Sequence, residues 1–354
     1  MRQYSTRARI GLREPAPVIA ELYEHMLEHN AQVAEEPQGI VLRLADVEAR
    51  FSHEGGETLV DIDAPDLESL YFARLTVASH ILEFAGDEAP SIVWTGDGGE
   101  IERPPNFQTM ELRGCRDITP HMRRLTFAAD DAARFAGLDA LHLNLMIQQP
   151  GVTAPQWPRV GQSGVMEWPD PSLRPDMRKY TVRSLDVESG LLEIDFVLHD
   201  DAGPGSRFAA TAAVGERVGV LGPGGGGLVA ADWYLFAGDE TALPAIARML
   251  EALAPEAQGE VFIEVADAGE IQPVSAPPGM TVRWLARDGA PAGTTDLLPE
   301  AVRGTRIPAE GGRYVWAGCE YAAFRAIRSF LRQDVRLAGD EHLVVSYWRR
   351  GVAE

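Results

Sequence analysis

The stretch Arg178-Lys-Tyr-Thr-Val-Arg183 sets an aromatic ring, a hydroxyl and three cations within six residues. On a strand, Arg178, Tyr180 and Val182 point one way, and Lys179, Thr181 and Arg183 the other. Such a strand end suits a flavin. The ring packs on the isoalloxazine, the hydroxyl hydrogen-bonds a ring nitrogen or oxygen, and an arginine meets phosphate. Taken alone, the stretch is more simply an ordinary strand with solvated cations, since each residue type is common on surfaces. Downstream, Val197-Leu-His-Asp-Asp-Ala-Gly-Pro-Gly-Ser-Arg-Phe208 reads as a strand ending near His199. A Gly/Pro turn follows, then a short helix over 207–213 opened by Ser206. Free N–H groups at such a helix start can hold a pyrophosphate, or Ser206 can merely cap the helix.

Gly222-Pro-Gly-Gly-Gly-Gly227 matches GxGxxG through Gly222, Gly224 and Gly227, but it leads into a strand and not a helix. A crossing loop between two domains, where backbones approach closely, is the better reading. Ala237-Gly-Asp-Glu-Thr-Ala-Leu-Pro-Ala245 lies between a strand and a helix, where α/β folds bind nucleotides. Its Asp239 and Glu240 would repel phosphate, so a pyrophosphate is expected against Thr241 and the helix start. Glu264 and Asp267 favour a ribose 2′-OH, whereas Arg283 and Arg287 favour a 2′-phosphate, which leaves NADH against NADPH open. At the C-terminus, Ser346-Tyr-Trp-Arg-Arg-Gly351 offers Trp348 to cover a flavin. Arg349 and Arg350 offer positive charge for an anionic substrate. The plainer alternative is a buried last strand with solvated arginines. His25, His29, His53 and His80 lack metal-ligand spacing on one helix face. Cys319 precedes a helix but reads as a buried structural cysteine.

The elements that hold these residues fall into three segments. The chain has 354 residues, which predicts two or three domains. Residues 1–98 read as a small α+β domain, with helices over 17–30 and 67–84 and Asp66 as an N-cap. Residues 91–105 read as a linker. Residues 106–228 carry short strands at the spacing of a small antiparallel barrel, interrupted by a Pro/Gly-rich insertion over 149–177. From 229 to 354 strands and helices alternate, which implies a doubly wound parallel sheet.

The net charge is −21, and 19 acidic against 7 basic residues put −12 of it in the first hundred. This excludes a general affinity for nucleic acid or anionic membrane. Two cysteines with no CxxC exclude a disulfide framework or a cysteine metal site. The N-terminus lacks a signal-peptide pattern, and no run of 18 apolar residues occurs. A cytoplasmic protein is expected.

Together these stretches resemble the siderophore-interacting protein family, the flavin-dependent ferric-siderophore reductases. Val220-Leu-Gly-Pro-Gly-Gly225, Tyr314-Val-Trp-Ala-Gly318 and Tyr347-Trp-Arg-Arg-Gly351 complete six motifs in the family's order across roughly 106–354. The resemblance implies a ferredoxin-reductase-like pair of domains. Arg178, Tyr180, Thr181, Arg183, Val197, His199, Gly205 and Ser206 would meet FAD, and Trp348 would lie with them. Asp239, Thr241 and Ala242 would form the loop facing NADH or NADPH. Arg349 and Arg350 would meet the chelate. Gly205 stands where alanine is common, and Cys319 is inserted in the family's Ala-Gly-Glu. The implied reaction passes electrons from NAD(P)H through FAD to a ferric siderophore, releasing Fe(II). The alternatives are a flavin reductase with ferredoxin or another acceptor as partner, or a non-catalytic flavin- or siderophore-binding protein. Residues 1–98 look like a separate family of uncharacterised function, with a His25…His80…Trp94 pattern.

Overall fold

The structure is a computed structural model that describes residues 3–28, 31–37, 39–199 and 203–352. His29 and residues 200–202 of the stretch from Val197 to Phe208 lie outside the described residues. The chain forms two compact units, Met1–Phe107 with Gln148–Pro175, and Gln108–Ile147 with Asp176–Glu354.

The first unit is an antiparallel sheet with two helices. Its strands are β1 (Tyr4–Ile10), β2 (Gln32–Glu36), β3 (Gly39–Leu44), β4 (Val47–Glu54), β5 (Glu57–Ala64) and β6 (Ile92–Gly96), in the order β2-β3-β4-β5-β1-β6. Helices α1 (Pro15–Glu28) and α2 (Leu67–Phe84) share one core with it. Alternation selects the inner face: Thr6, Ala8 and Ile10 of β1 are buried and their neighbours are not. Asp66 caps α2 as expected, accepting from the Ser69 N–H at 2.7 Å.

Two expectations need correction here. The linker over 91–105 is shorter, because β6 pairs with β1 and buries Ile92 and Trp94. The insertion over 149–177 is not a bare loop. It carries a hairpin of β10 (Arg159–Val160) and β11 (Met166–Glu167), and Val165 packs on the first unit's core. The Trp94 indole N–H donates to the Ser163 carbonyl at 2.8 Å.

The second unit opens with a closed six-stranded barrel in the order β12-β13-β8-β7-β14-β9. These strands are β7 (Phe107–Thr119), β8 (Met122–Ala129), β9 (His142–Ile147), β12 (Asp176–Asp186), β13 (Leu191–Val197) and β14 (Arg217–Gly224), with α3 (Pro204–Thr211) between the last two. A five-stranded parallel sheet follows: β15 (Trp233–Gly238), β16 (Gln258–Val265), β17 (Gly279–Ala286), β18 (Arg313–Glu320) and β19 (His342–Trp348), ordered β17-β16-β15-β18-β19. Tyr234 and Phe236 of β15 enter one core with α4 (Leu243–Ala252). Leu235 and Ala237 enter another with α5 (Leu297–Gly304) and α6 (Tyr321–Ser329), so helices cover both faces.

Barrel and sheet are joined by buried polar contacts. Arg248 of α4 is 6% exposed and donates to the backbone carbonyls of Val182, Phe135 and Gly137. Glu270, also buried, accepts from Thr119 Oγ1 and from the His121 backbone N–H and Nδ1. The glycine run is the crossing: a Cβ at Gly226 would strike Leu343 of β19, and Tyr314 Oη donates to the Gly227 carbonyl.

Candidate functional site

The barrel side of the site is built on β12. Val182 enters the barrel core, and Tyr180 lies on Phe196 of β13 with ring centroids 4.2 Å apart. The Tyr180 hydroxyl fills the space beside Gly205, where a Cβ would come within 1.9 Å of it. That contact is why this position takes no side chain. Burial pushes the Tyr180 phenol up, against the opposing charge of Arg178. Arg178 is half-buried, donates to the Met177 carbonyl, and has no carboxylate partner among the described residues. Arg183 differs from expectation. It forms a two-pronged pair with Glu251 of α4 at 2.6 and 3.0 Å, because its face of β12 turns to that helix, so it is spent within the protein.

α3 supplies the turn beside this strand. It starts one turn earlier than expected, with Pro204 as its first residue and Gly203 as a cap that offers no side chain. Ser206 therefore sits inside the first turn, buried, and its Oγ accepts from the His199 backbone N–H at 3.3 Å. His199 is exposed, Val197 ends β13 half-buried, and a Cβ at Gly203 would meet nothing within 4 Å.

The sheet side opens at the carboxyl ends of its strands into a cleft of about 250 Å³. It is lined by Asp239, Glu264, Arg287, Thr294, Thr295, Asp296, Glu320, Trp348 and Arg350, among others. The loop after β15 is arranged differently from expectation. The Thr241 N–H and Oγ1 both donate to Asp239 Oδ1, and the Ala242 and Leu243 N–H groups turn to the Asp239 carbonyl. Ala242 is fully buried. The start of α4 is thus satisfied from within and presents neither Ala242 nor its amide to a ligand. The two loop carboxylates are also engaged. Asp239 accepts from the Trp348 indole at 2.8 Å, and Glu240 holds Arg287 at 2.6 and 3.0 Å. Arg287 also meets Glu264 at 3.3 Å and Thr295 donates to Glu264 at 3.2 Å. Burial, reinforced by Glu240, raises the Asp239 carboxyl; burial also raises Glu264, with Arg287 opposing.

Trp348 is therefore a cleft residue, and its neighbour Tyr347 is the aromatic that faces the barrel. The Tyr347 hydroxyl forms a short hydrogen bond with His142 Nε2 of β9, and their rings meet edge-on at 5.3 Å. Arg349 is exposed with its guanidinium 4.8 Å from the Tyr321 ring, and Arg350 lines the cleft. Asp267 caps a short turn at Gly269, and Arg283 pairs with Glu260 at the surface. Arg325 and Arg328 lie over Tyr321 and Phe324 of their own helix. Cys319 is buried, and burial beside Asp239, Glu264 and Glu320 pushes its thiol well up. The His25 and His80 ring centroids lie 4.6 Å apart with the planes tilted by 42°, and no metal-holding cluster occurs among the described residues. Sequence reasoning missed His142, Thr294, Thr295 and Glu320, which carry no motif of their own.

Comparison with known proteins agrees with a barrel followed by a parallel-sheet domain. Residues 111–227 match the siderophore-interacting FAD-binding domain, and residues 231–351 match the siderophore-interacting protein family. Residues 7–95 match a family described only as an uncharacterised protein conserved in bacteria (DUF2218). Ferric vibriobactin reductase ViuB from Vibrio cholerae is 33% identical over 242 residues, covering 67% of this chain and 87% of that protein. A siderophore utilization protein from T. fusca is 40% identical with a TM-score of 0.60, covering 70% of this chain and 94% of that one. The siderophore-interacting protein SipS from Aeromonas hydrophila is 31% identical with the same TM-score, covering 71% and 94%. The barrel is an FAD-binding domain, and the chain belongs to the siderophore-interacting protein family.

Proposed function

We propose that the protein is a ferric-siderophore reductase that draws electrons from a nicotinamide dinucleotide through FAD. The observation that carries this is one compact unit holding both a barrel strand with Tyr180 and Thr181 and a parallel sheet whose carboxyl ends open into a cleft. The name of ViuB, a ferric vibriobactin reductase, supports the substrate class.

The residues present fit FAD. Tyr180 offers a half-buried ring, and Arg178 a guanidinium without a carboxylate partner among the described residues. The first turn of α3 begins at a bare glycine with open space beside it. Bound there, FAD supplies the conversion of a two-electron hydride donation into single-electron transfers. Tyr180 would back the ring, Thr181 would meet its polar edge, and Arg178 with the Gly205–Ser206 amides would hold phosphate. Each hydride carries two electrons, so one nucleotide serves two ferric chelates. The product Fe(II) is held less firmly by hard oxygen donors and is released. Arg349, exposed and without a carboxylate partner among the described residues, and Arg350 at the cleft supply charge for an anionic chelate. Replacing both with alanine should raise KM for such a chelate by about two- to fivefold without releasing FAD, as expected for exposed charge pairs. An unchanged KM removes them from the substrate site.

The cleft's charge supports NADH as the donor. Arg287, the arginine placed to meet a 2′-phosphate, is already neutralised by Glu240 and Glu264. A dianionic 2′-phosphate at that strand end would face the Glu264 carboxylate and an already neutralised Arg287, which costs on the order of tenfold or more in binding. Steady-state kinetics should give a higher kcat/KM for NADH than for NADPH by that factor. The reading as a whole is tested by an anaerobic titration. Flavin absorbance should bleach with NADH and recover on adding ferric siderophore. Flavin that neither nucleotide bleaches indicates ferredoxin as donor or a binding role, and a protein that takes up no FAD sinks the proposal.

A further inference from the structure

The first unit separates its charges by layer. Arg7, Arg9, Arg43 and Arg50 all lie on strands and pair with carboxylates of the same sheet. Arg7 and Arg9 alternate with the buried Thr6, Ala8 and Ile10, so their pairs lie on the face turned away from α1 and α2. The helix layer carries the opposite pattern. Glu21 and Glu24 of α1, Glu68 and Glu83 of α2, and Asp87 just beyond are exposed. None of the five has an ion pair among the described residues. The one arginine in these helices, Arg74, is buried and donates to the Gly98 carbonyl. The negative excess of the first hundred residues therefore has an exposed, unpaired helical face.

The second unit carries the complement. From Tyr321 to Arg336 the chain has four arginines and a single carboxylate, Asp334. Arg325 and Arg328 are exposed and share one side of α6 at a spacing of three. Their guanidinium groups lie 6.0 Å and 5.6 Å from the centroids of the half-buried Tyr321 and Phe324 rings. Arg349 lies over the same Tyr321 ring. None of these three arginines has a carboxylate partner among the described residues. A merely solvated helix face mixes both signs of charge at spacings of three and four. This one has a single sign. Its guanidinium groups are already laid on rings, so little side-chain freedom is lost on contact, and arginine over aromatics is the composition enriched in interfaces.

We propose that the arginine face of α6 in one copy docks on the acidic helix layer of the first unit in a second copy, so that the chain self-associates. Charge complementarity selects the occupant, because the chain itself carries the acidic face that fits. Its net charge of −21 opposes any other mode of contact, since acidic surfaces then meet. At 0.1 M salt the repulsion between charges more than about 10 Å apart is screened, whereas pairs brought into contact keep their attraction. Exposed pairs contribute little singly, so the complex is weak, with a Kd of about 10–100 μM.

The test is sedimentation velocity on the full chain, from about 1 to 200 μM. The sedimentation coefficient should rise with concentration in 0.1 M NaCl and should not in 1 M NaCl. Two variants reverse one face each, Arg325→Glu with Arg328→Glu and Glu21→Arg with Glu24→Arg. Each alone sets like charges together and should self-associate at least tenfold more weakly than the parent. Mixed, the two should associate again, because each reversed face then meets its reversed partner and the untouched pair is native. Arg325→Gln with Arg328→Gln replaces the first variant if that one fails to fold, and it should weaken self-association without regaining it on mixing. A parent that stays monomeric in 0.1 M NaCl overturns the proposal. So does association that survives 1 M NaCl or both reversals, and so does a mixture of the two reversed variants that associates no better than either alone.

Discussion

Arg287→Met should lower the unfolding free energy by about 3–5 kcal/mol, the cost of leaving buried carboxylates without their cation. The guanidinium is only 6% exposed and is the shared partner of Glu240 and Glu264, themselves 11% and 8% exposed. Methionine fills the volume but supplies no donor. Glu264 gives the effect a pH signature. Burial already holds its carboxyl above the usual range, so protonation favours the folded form. Stability linked to such a group is present in acid and lost as pH rises through the raised value. Without Arg287 that value rises further, so the penalty should be largest at neutral pH and should shrink as pH falls toward the carboxylate range. Denaturant titrations of both proteins at several pH values measure this. A penalty independent of pH would mean that packing, and not charge, is what Arg287 contributes.

Arg248→Met should cost about 3 kcal/mol and divide unfolding of the second unit into two transitions. Its guanidinium bridges barrel and sheet by donating to three backbone carbonyls, those of Val182, Phe135 and Gly137. Hydrogen bonds from a charged donor are worth roughly 1.5–3 kcal/mol each, partly offset here by removing a buried cation. That offset is visible in Arg248 itself, whose pKa burial and Arg183 both lower. Differential scanning calorimetry reads the result directly. One transition at an unchanged temperature would show that Glu270 and the glycine crossing suffice to couple the two halves.

What the sequence made legible was local. A strand, a Gly/Pro turn and a helix start are written in neighbouring residues, so the settings of Tyr180, Gly205 and Thr241 could be placed by pattern. What it hid depends on distance and parity. Nothing near Arg287 marks Glu240 as its partner 47 residues earlier, and nothing near Arg183 marks Glu251. Parity explains why Tyr347, and not Trp348, faces the barrel. The pairing of β18 with β19 shifts register between Cys319 and Glu320, and adjacent residues on a strand face opposite ways. Trp94 was legible as a marker of the first segment, but its carbonyl partner at Ser163 lies 69 residues away, inside what reads as a loop of the barrel.

That last contact bears on how the protein is made and how it could have been assembled. The stretch that lends Ser163 and Val165 to the first unit is encoded inside the barrel, between β9 and β12. During synthesis the early unit stays unfinished until more than 160 residues have left the ribosome, so the usual rule that an N-terminal domain completes itself first does not hold here. A gene fusion that merely joined one module to another at residue 100 would have left Trp94 uncapped. Closing it takes the stretch encoded between β9 and β12 as well.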